Sequence, residues 1–255
     1  MNMKLWNTLQ LEFFKLRGRM LWLLPVLLLL LQAAWMWWGM KSMSHQEIIQ
    51  GWQHYLYQLP VLNAIMLPVL MAVMGSRIAD IEHKGQMLKL LYTVEERGYV
   101  LLAKLLCGGW YLLWILLGQL GTMLAIGMYK GFYPPVPWGY FACYMLFTFL
   151  TSFCIYLVQL LISLLIKNQA ISLIVGIAGS FCGLFSLFLN ITPVNKLILW
   201  SYYSQLFLCG MNWDRASRNT EMYWVAPNWG SFLLLAVGFL VTLWIGWRLL
   251  ERKEC

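Results

Sequence analysis

The side chains of this 255-residue chain that can act as acids, bases or metal donors are few and grouped. Glu95 and Glu96 stand side by side ahead of Arg97. Paired acids can drive acid–base hydrolysis, but these lie in a charged stretch with no matching membrane histidine. His45, Glu47 and His54 share one polar segment and offer nitrogen and oxygen donors. Three donors with no fourth ligand fall short of a structural zinc site, so they read as polar loop residues. No G-x-x-x-x-G-K-[ST] occurs, so the chain has no P-loop for ATP, and no nucleophile stands beside a base. The cysteines Cys107, Cys143, Cys154, Cys182, Cys209 and Cys255 contain no C-x-x-C pair, and most lie in apolar runs. They read as small packing residues rather than a disulfide framework.

The densest charge runs from Arg77 to Lys104 and includes Asp80, Glu82, Lys84, Lys89, Glu95, Glu96 and Arg97. Long uncharged runs flank it on both sides. An ionised group at mid-bilayer costs about 2.5–3.5 kcal/mol on insertion scales, so this hinge is expected in water between two spans. Within it Met87, Leu90, Leu91 and Val94 repeat at helical spacing, with Lys84, Gln86, Lys89 and Glu96 largely between them. That pattern predicts a short amphipathic helix, stopped by Gly98, able to lie on a membrane or in a partner's groove.

The elements around the hinge follow from composition. The chain is 61% hydrophobic and 11% charged, with mean hydropathy +0.67. A soluble domain carries about 25% charged residues, so this one is an all-α polytopic membrane protein. Six spans are expected at about 20–40, 59–79, 99–129, 138–166, 170–190 and 229–248, with an outer loop over 190–228. The first run is too long for a signal-peptide core and lacks an A-x-A exit, so it is expected to stay as an anchor. Leu5, Leu9, Phe13 and Leu16 share one helical face ahead of it, predicting an interfacial elbow helix. The net charge of +8 is dispersed around the spans and points to topology rather than nucleic acid. Thirteen of the eighteen Lys and Arg residues fall on the side of the N-terminus, hinge, Lys167 turn and C-terminus, which predicts that side to be cytoplasmic.

The spans are expected to hold no ionisable residue, unlike ion-coupled transporters, so the energy source should lie outside this chain. Asn63, Gln119, Gln159 and Ser163 are polar groups placed to join helices. In the fifth span Ser172, Gly176, Gly179 and Gly183 form a small-residue stripe, a candidate face for close helix packing within or between subunits.

Together these parts resemble the membrane subunit of type-2 (ABC-2) ATP-binding-cassette exporters, and among them the short permeases of lantibiotic-immunity transporters. The resemblance spans nearly the whole chain. It rests on Glu12-Phe-Phe-Lys15-Leu-Arg17 in the elbow, the six spans, the long outer segment, and Glu82-His-Lys-Gly-Gln-Met-Leu-Lys-Leu-Leu leading to Lys104. It implies a cytoplasmic coupling helix at about 83–97. There Glu82, His83, Lys84, Met87, Leu88, Leu90, Leu91 and Arg97 would meet a separate ATPase, with Glu12, Lys15 and Arg17 of the elbow alongside. It implies that Ser172, Gly176, Gly179 and Gly183 pack against a second permease, a different chain in the immunity transporters. It further implies no enzyme activity and no cofactor in this chain, ATP and Mg being held by two copies of the ATPase. The setting would be membrane lipid of a bacterial plasma membrane, and the cargo an amphipathic antimicrobial peptide to be expelled. Val94-Glu95-Glu96-Arg97 departs from the proline-led turn of relatives. A different class fits the same residues: a membrane sensor whose Trp-rich outer loops bind a peptide without transporting it.

Overall fold

The computed structural model describes residues 3–41, 43–84, 97–133, 135–188, 192–213 and 220–252. Helix α1 (Met3–Arg17) ends in a turn where Met20 takes a left-handed φ of 50°, which breaks the chain direction before α2 (Leu23–Gly39). After the short α3 (His45–Ile49) come two long helices, α4 (Gly51–Lys84) and α5 (Arg97–Lys130). Then follow α6 (Trp138–Leu165) and α7 (Gln169–Phe188), and the chain closes with α10 (Trp229–Arg252). The described helices α4, α5, α6, α7 and α10 are long and apolar enough to cross a membrane, while α2, at 17 residues, is shorter. Its start is delayed to Leu23 by the left-handed Met20.

Two elements differ from expectation. The segment 41–58, expected as a polar loop, belongs mostly to helices: α4 begins at Gly51, not near residue 59. Trp52, Tyr55, Leu56 and Leu59 are buried at helical spacing, so apolar burial carries α4 outward past its polar residues. The stretch 190–228 is not a plain loop. It holds α8 (Thr192–Asn195), a 3₁₀ turn (Leu199–Ser201) and α9 (Tyr202–Gln205). These are followed by an antiparallel hairpin of β1 (Cys209–Trp213) and β2 (Thr220–Trp224), in which Met211 faces Met222.

The helical part of that stretch folds back into the bundle. Trp200 lies over Gly179 and Gly183, where a Cβ would come within 2.1 Å and 2.9 Å of it. Those glycines sit about 15 and 21 Å along α7 from Gln169, at ~1.5 Å per residue. Tyr203 reaches the same depth and pairs with Ser152 of α6 at 2.8 Å. At the end remote from the hinge, α5 closes with Gly131 at φ 69°. Phe132 N–H donates to Gly127 O at 2.9 Å and Gly131 N–H to Met128 O at 3.2 Å, a Schellman stop that seats Phe132 edge-on against Trp52.

The interior divides into an apolar cluster near the hinge and another at the remote end. Four amide and phenol groups, one from each of four helices, lie between. Gln32 of α2 donates to Asn63 of α4 at 2.9 Å, and Asn63 donates to Tyr144 of α6 at 2.8 Å. Gln119 of α5 donates to Gln32 and to Asn63, each at 2.8 Å, and accepts from Tyr144 at 2.7 Å. All four side chains are buried, so each bond keeps another polar group from standing unpaired in hydrocarbon. Asn63→Ala removes the hub and should cost about 1–3 kcal/mol, read as a lower unfolding midpoint in detergent, whereas Tyr144→Phe should cost less. An unchanged midpoint for Asn63→Ala would show that the four helices hold together without the amides.

Candidate functional site

The hinge-proximal ends of the helices converge on the last two turns of α4. On one face of α4, four charges share a single pocket. Lys104 of α5 donates to Glu12 of α1 at 2.7 Å and to Glu82 of α4 at 3.0 Å. Lys15 of α1 closes the ring, donating to Glu82 at 2.9 Å and to Glu12 at 3.0 Å. The side chains of Glu12, Glu82 and Lys104 are 0% exposed. Two carboxylates and two ammoniums cancel, which is the condition under which charges leave water at tolerable cost. Burial alone would lower the Lys15 pKa, but the hydrogen bonds and charges of Glu82 and Glu12 outweigh it and raise it.

Small and aromatic residues let the helices close around this ring. Gly108 of α5 has no side chain where the Tyr156 ring passes, and a Cβ there would fall 2.1 Å from that ring. Tyr156 Oη therefore crosses from α6 and donates to the Lys104 carbonyl at 2.8 Å. Gly98, expected as a helix stop, is instead the second residue of α5, and Trp247 of α10 fills the space beside it.

The opposite face of α4 grips the α6–α7 turn. Ser76 donates to Gln169 Oε1 at 3.2 Å, and Gln169 Nε2 donates to Asp80. Arg19, just beyond α1, donates to Asp80 at 3.4 Å. His83 Nε2 bonds the Ser163 carbonyl at 2.8 Å; a carbonyl only accepts, so this ring carries its proton on Nε2. Ser76, Asp80 and His83 follow the i, i+4, i+7 rule, so one stripe of α4 makes all these bonds.

The structure thus relocates several expected positions. The charged stretch from Arg77 to Lys104 is not all in water: Asp80, Glu82 and Lys104 are buried inside helices, because opposite charges meet them there. The spans therefore do carry ionisable residues, at their hinge-proximal ends. Glu82 and His83, expected on a docking surface, turn into the protein. Lys84 and Arg97 bound α4 and α5 at the two ends of the hinge, and Met87, Leu88, Leu90 and Leu91 lie outside the described residues. Glu12 and Lys15 join the ring, while Arg17 is exposed at the end of α1.

The stripe of α7 is filled by this chain itself, which occupies the face expected for a second permease. The Gln159 amide of α6 donates to Ser172 Oγ at 2.8 Å and accepts from Gly176 N–H at 3.2 Å. Gly176 abuts Ala72 of α4, and Trp200 covers Gly179 and Gly183. Of the trio His45, Glu47 and His54, Glu47 closes a capping box on Ser44 at the start of α3, and His54 is buried in α4. Asp80 is legible in the sequence only as one charge of the hinge, and nothing there assigns a role to Gln169, Arg19 or Tyr156. The available signal was the set of opposite charges bordering the apolar runs, at Glu12, Lys15, Glu82 and Lys104.

Lys104→Met leaves Glu12 and Glu82 buried against Lys15 alone, and should destabilise the fold by about 3–5 kcal/mol. The double variant Lys104→Met/Glu82→Gln should recover part of that loss in a double-mutant cycle; strict additivity would mean that the pair does not interact. Because the Lys15 pKa is raised on folding, its stabilising contribution is complete below its ordinary value of 10.5 and is lost as pH climbs through the raised one. Unfolding midpoints measured above pH 10 should fall more steeply in the parent chain than in Lys15→Met.

A family model described as ABC-2 family transporter protein matches residues 8–183, which run from α1 through the hinge to the small-residue stripe of α7. No curated protein matches the chain. The matched region holds every residue of the charged ring and both ends of the hinge, and it covers more than half of the chain. The chain belongs to the ABC-2 family of transporter proteins: it is a membrane permease subunit, and its working partner is an ABC ATPase.

Proposed function

We propose that this permease is the six-pass membrane half of an exporter whose hinge docks on the ATPase, with α2 as the additional short span. In this reading both termini and the hinge face the cytoplasm of a bacterial cell, as the distribution of Lys and Arg favours. The hinge over about 83–97 presents Met87, Leu88, Leu90 and Leu91 to the ATPase as an amphipathic coupling helix. Two ATPase copies bind ATP and Mg. A second permease, of a different sequence, completes the pathway, and the cargo is an amphipathic antimicrobial peptide of the lantibiotic kind removed from the membrane.

One observation carries the coupling role: the ring of Glu12, Lys15, Glu82 and Lys104 joins the elbow helix to both ends of the hinge. A push on the hinge then moves α1, α4 and α5 together, because separating any of them would take buried charges away from one of their counter-charges. Chemistry by this chain is not needed, since closure of the ATPase on its nucleotide supplies the work.

Leu90→Glu should abolish co-elution of the permease with its ATPase in mild detergent. Glu82→Gln should leave co-elution intact but reduce substrate-stimulated ATP hydrolysis about tenfold, as the hinge loses its grip on α1. If Leu90→Glu still co-elutes with full coupled hydrolysis, or if a label on residue 90 reacts from outside intact cells, the coupling assignment is overturned. Protection of cells against a lantibiotic that persists with a hydrolysis-dead ATPase would favour peptide binding without transport.

A further inference from the structure

A cavity of about 620 Å³ lies between α6, α10 and the re-entrant segment, away from the hinge and the charged ring. Leu157 and Val158 form one wall, Leu235, Gly238 and Phe239 another, and Leu199 the roof. The volume falls in the ~300–1,000 Å³ range of small-molecule sites. Its lining is almost wholly apolar, and the polar side chains present are mostly engaged. Thr242 donates to Gly238 O at 2.8 Å, and Tyr202 donates to Lys196 O at 3.0 Å.

Lys196 stands at the rim and is the only charged residue lining the cavity among the described residues. It is exposed and makes no ion pair among the described residues. It precedes Trp200, whose ring covers Gly179 and whose backbone lies against Gly183, so Lys196 sits on the return path from the end of α7 into the bundle. An unpaired ammonium beside membrane-spanning helices is costly unless its stem snorkels to a polar layer or an anion meets it.

We propose that this cavity is a binding site for one anionic glycerophospholipid, with an acyl chain between α6 and α10 and the phosphate on Lys196. Charge complementarity selects the occupant. Among the described residues no carboxylate lines the cavity, so a cationic amphipath finds no counter-charge there, whereas an acidic headgroup meets the Lys196 ammonium. Gly238 gives the chain its room: a Cβ built there meets nothing within 4 Å. The site goes beyond the exporter reading and is independent of the ATPase, so it stands or falls separately.

The test uses the full chain in mild detergent with a phosphatidylglycerol bearing a photoreactive diazirine near the end of one tail, beside a diacylglycerol with the same tail. The phosphatidylglycerol should label 154–158 and 234–242 about tenfold more than the diacylglycerol. Gly238→Leu should reduce that labelling about fivefold by filling the cavity, and Lys196→Glu should erase the preference between the two probes. Leu240→Ala, on the exposed face of α10, should change neither. Equal labelling by both probes in the parent chain, or labelling spread over exposed α10 positions and indifferent to Lys196→Glu, would overturn the proposal. So would displacement of the probe by a cationic amphipathic peptide but not by unlabelled phosphatidylglycerol.

Discussion

Charge neutrality inside a buried pocket is the constraint on which the hinge-proximal half of this protein depends. Glu12 and Lys15 from α1, Glu82 from α4 and Lys104 from α5 each have two partners of opposite sign. None of the three helices brings a neutral set on its own except α1, whose pair stands one turn apart. Without α1, Glu82 and Lys104 would keep only each other at 3.0 Å, and each would lose one of its two buried counter-charges. Helix α1 therefore completes the set of counter-charges that α4 and α5 bury between them. The same last turns of α4 hold the α6–α7 turn through Ser76, Asp80 and His83. Four helices consequently register on the last turns of a fifth.

The amide group near the middle of the bundle works by a different rule. Gln32, Asn63, Gln119 and Tyr144 carry no charge, yet each fills the hydrogen-bonding capacity of its neighbours. Such a closed set tolerates little sliding of one helix past another, since a shift of one turn (~5.4 Å) separates every pair. Ions near the hinge and amides further in thus hold α4 and α5 at two separated levels, and two points of attachment fix direction as well as position.

Much of this was legible in the sequence, and the failures have physical causes. Length and hydropathy located the long helices, because about twenty apolar residues in a row admit little else. Asn63 and Gln119 were recognised as joining groups, since a lone amide in an apolar run has few other means of satisfaction. The charged stretch was misplaced because composition treats each charge as exposed, whereas Lys104 and Glu82 find their counter-charges 92 and 67 residues away, on Glu12 and Lys15. Glu12 and Lys15 themselves were noticed only as members of the elbow. The small-residue stripe of α7 could meet any flat surface, and pattern alone could not say that Trp200 from the same chain would cover it. The hairpin of β1 and β2 escaped because its alternation is weak and one side of it is open, with Met222 the buried residue of β2.

Helix α5 has one more property of note. It runs from Arg97 to Lys130 without a proline, unlike α4 with Pro60 and Pro68. Lys104 lies near its start, and Lys130 is about 39 Å further on at ~1.5 Å per residue. Pivoted at the ion ring, a tilt of roughly 5° would carry the Lys130 end sideways by about 3 Å, the length of one hydrogen bond. Trp37, which packs tilted against Tyr129 and lies under the Lys130 ammonium, would feel that displacement directly. Its indole fluorescence is thus a built-in gauge at the far end of a stiff pointer, reading out small angular strokes made at the opposite membrane surface.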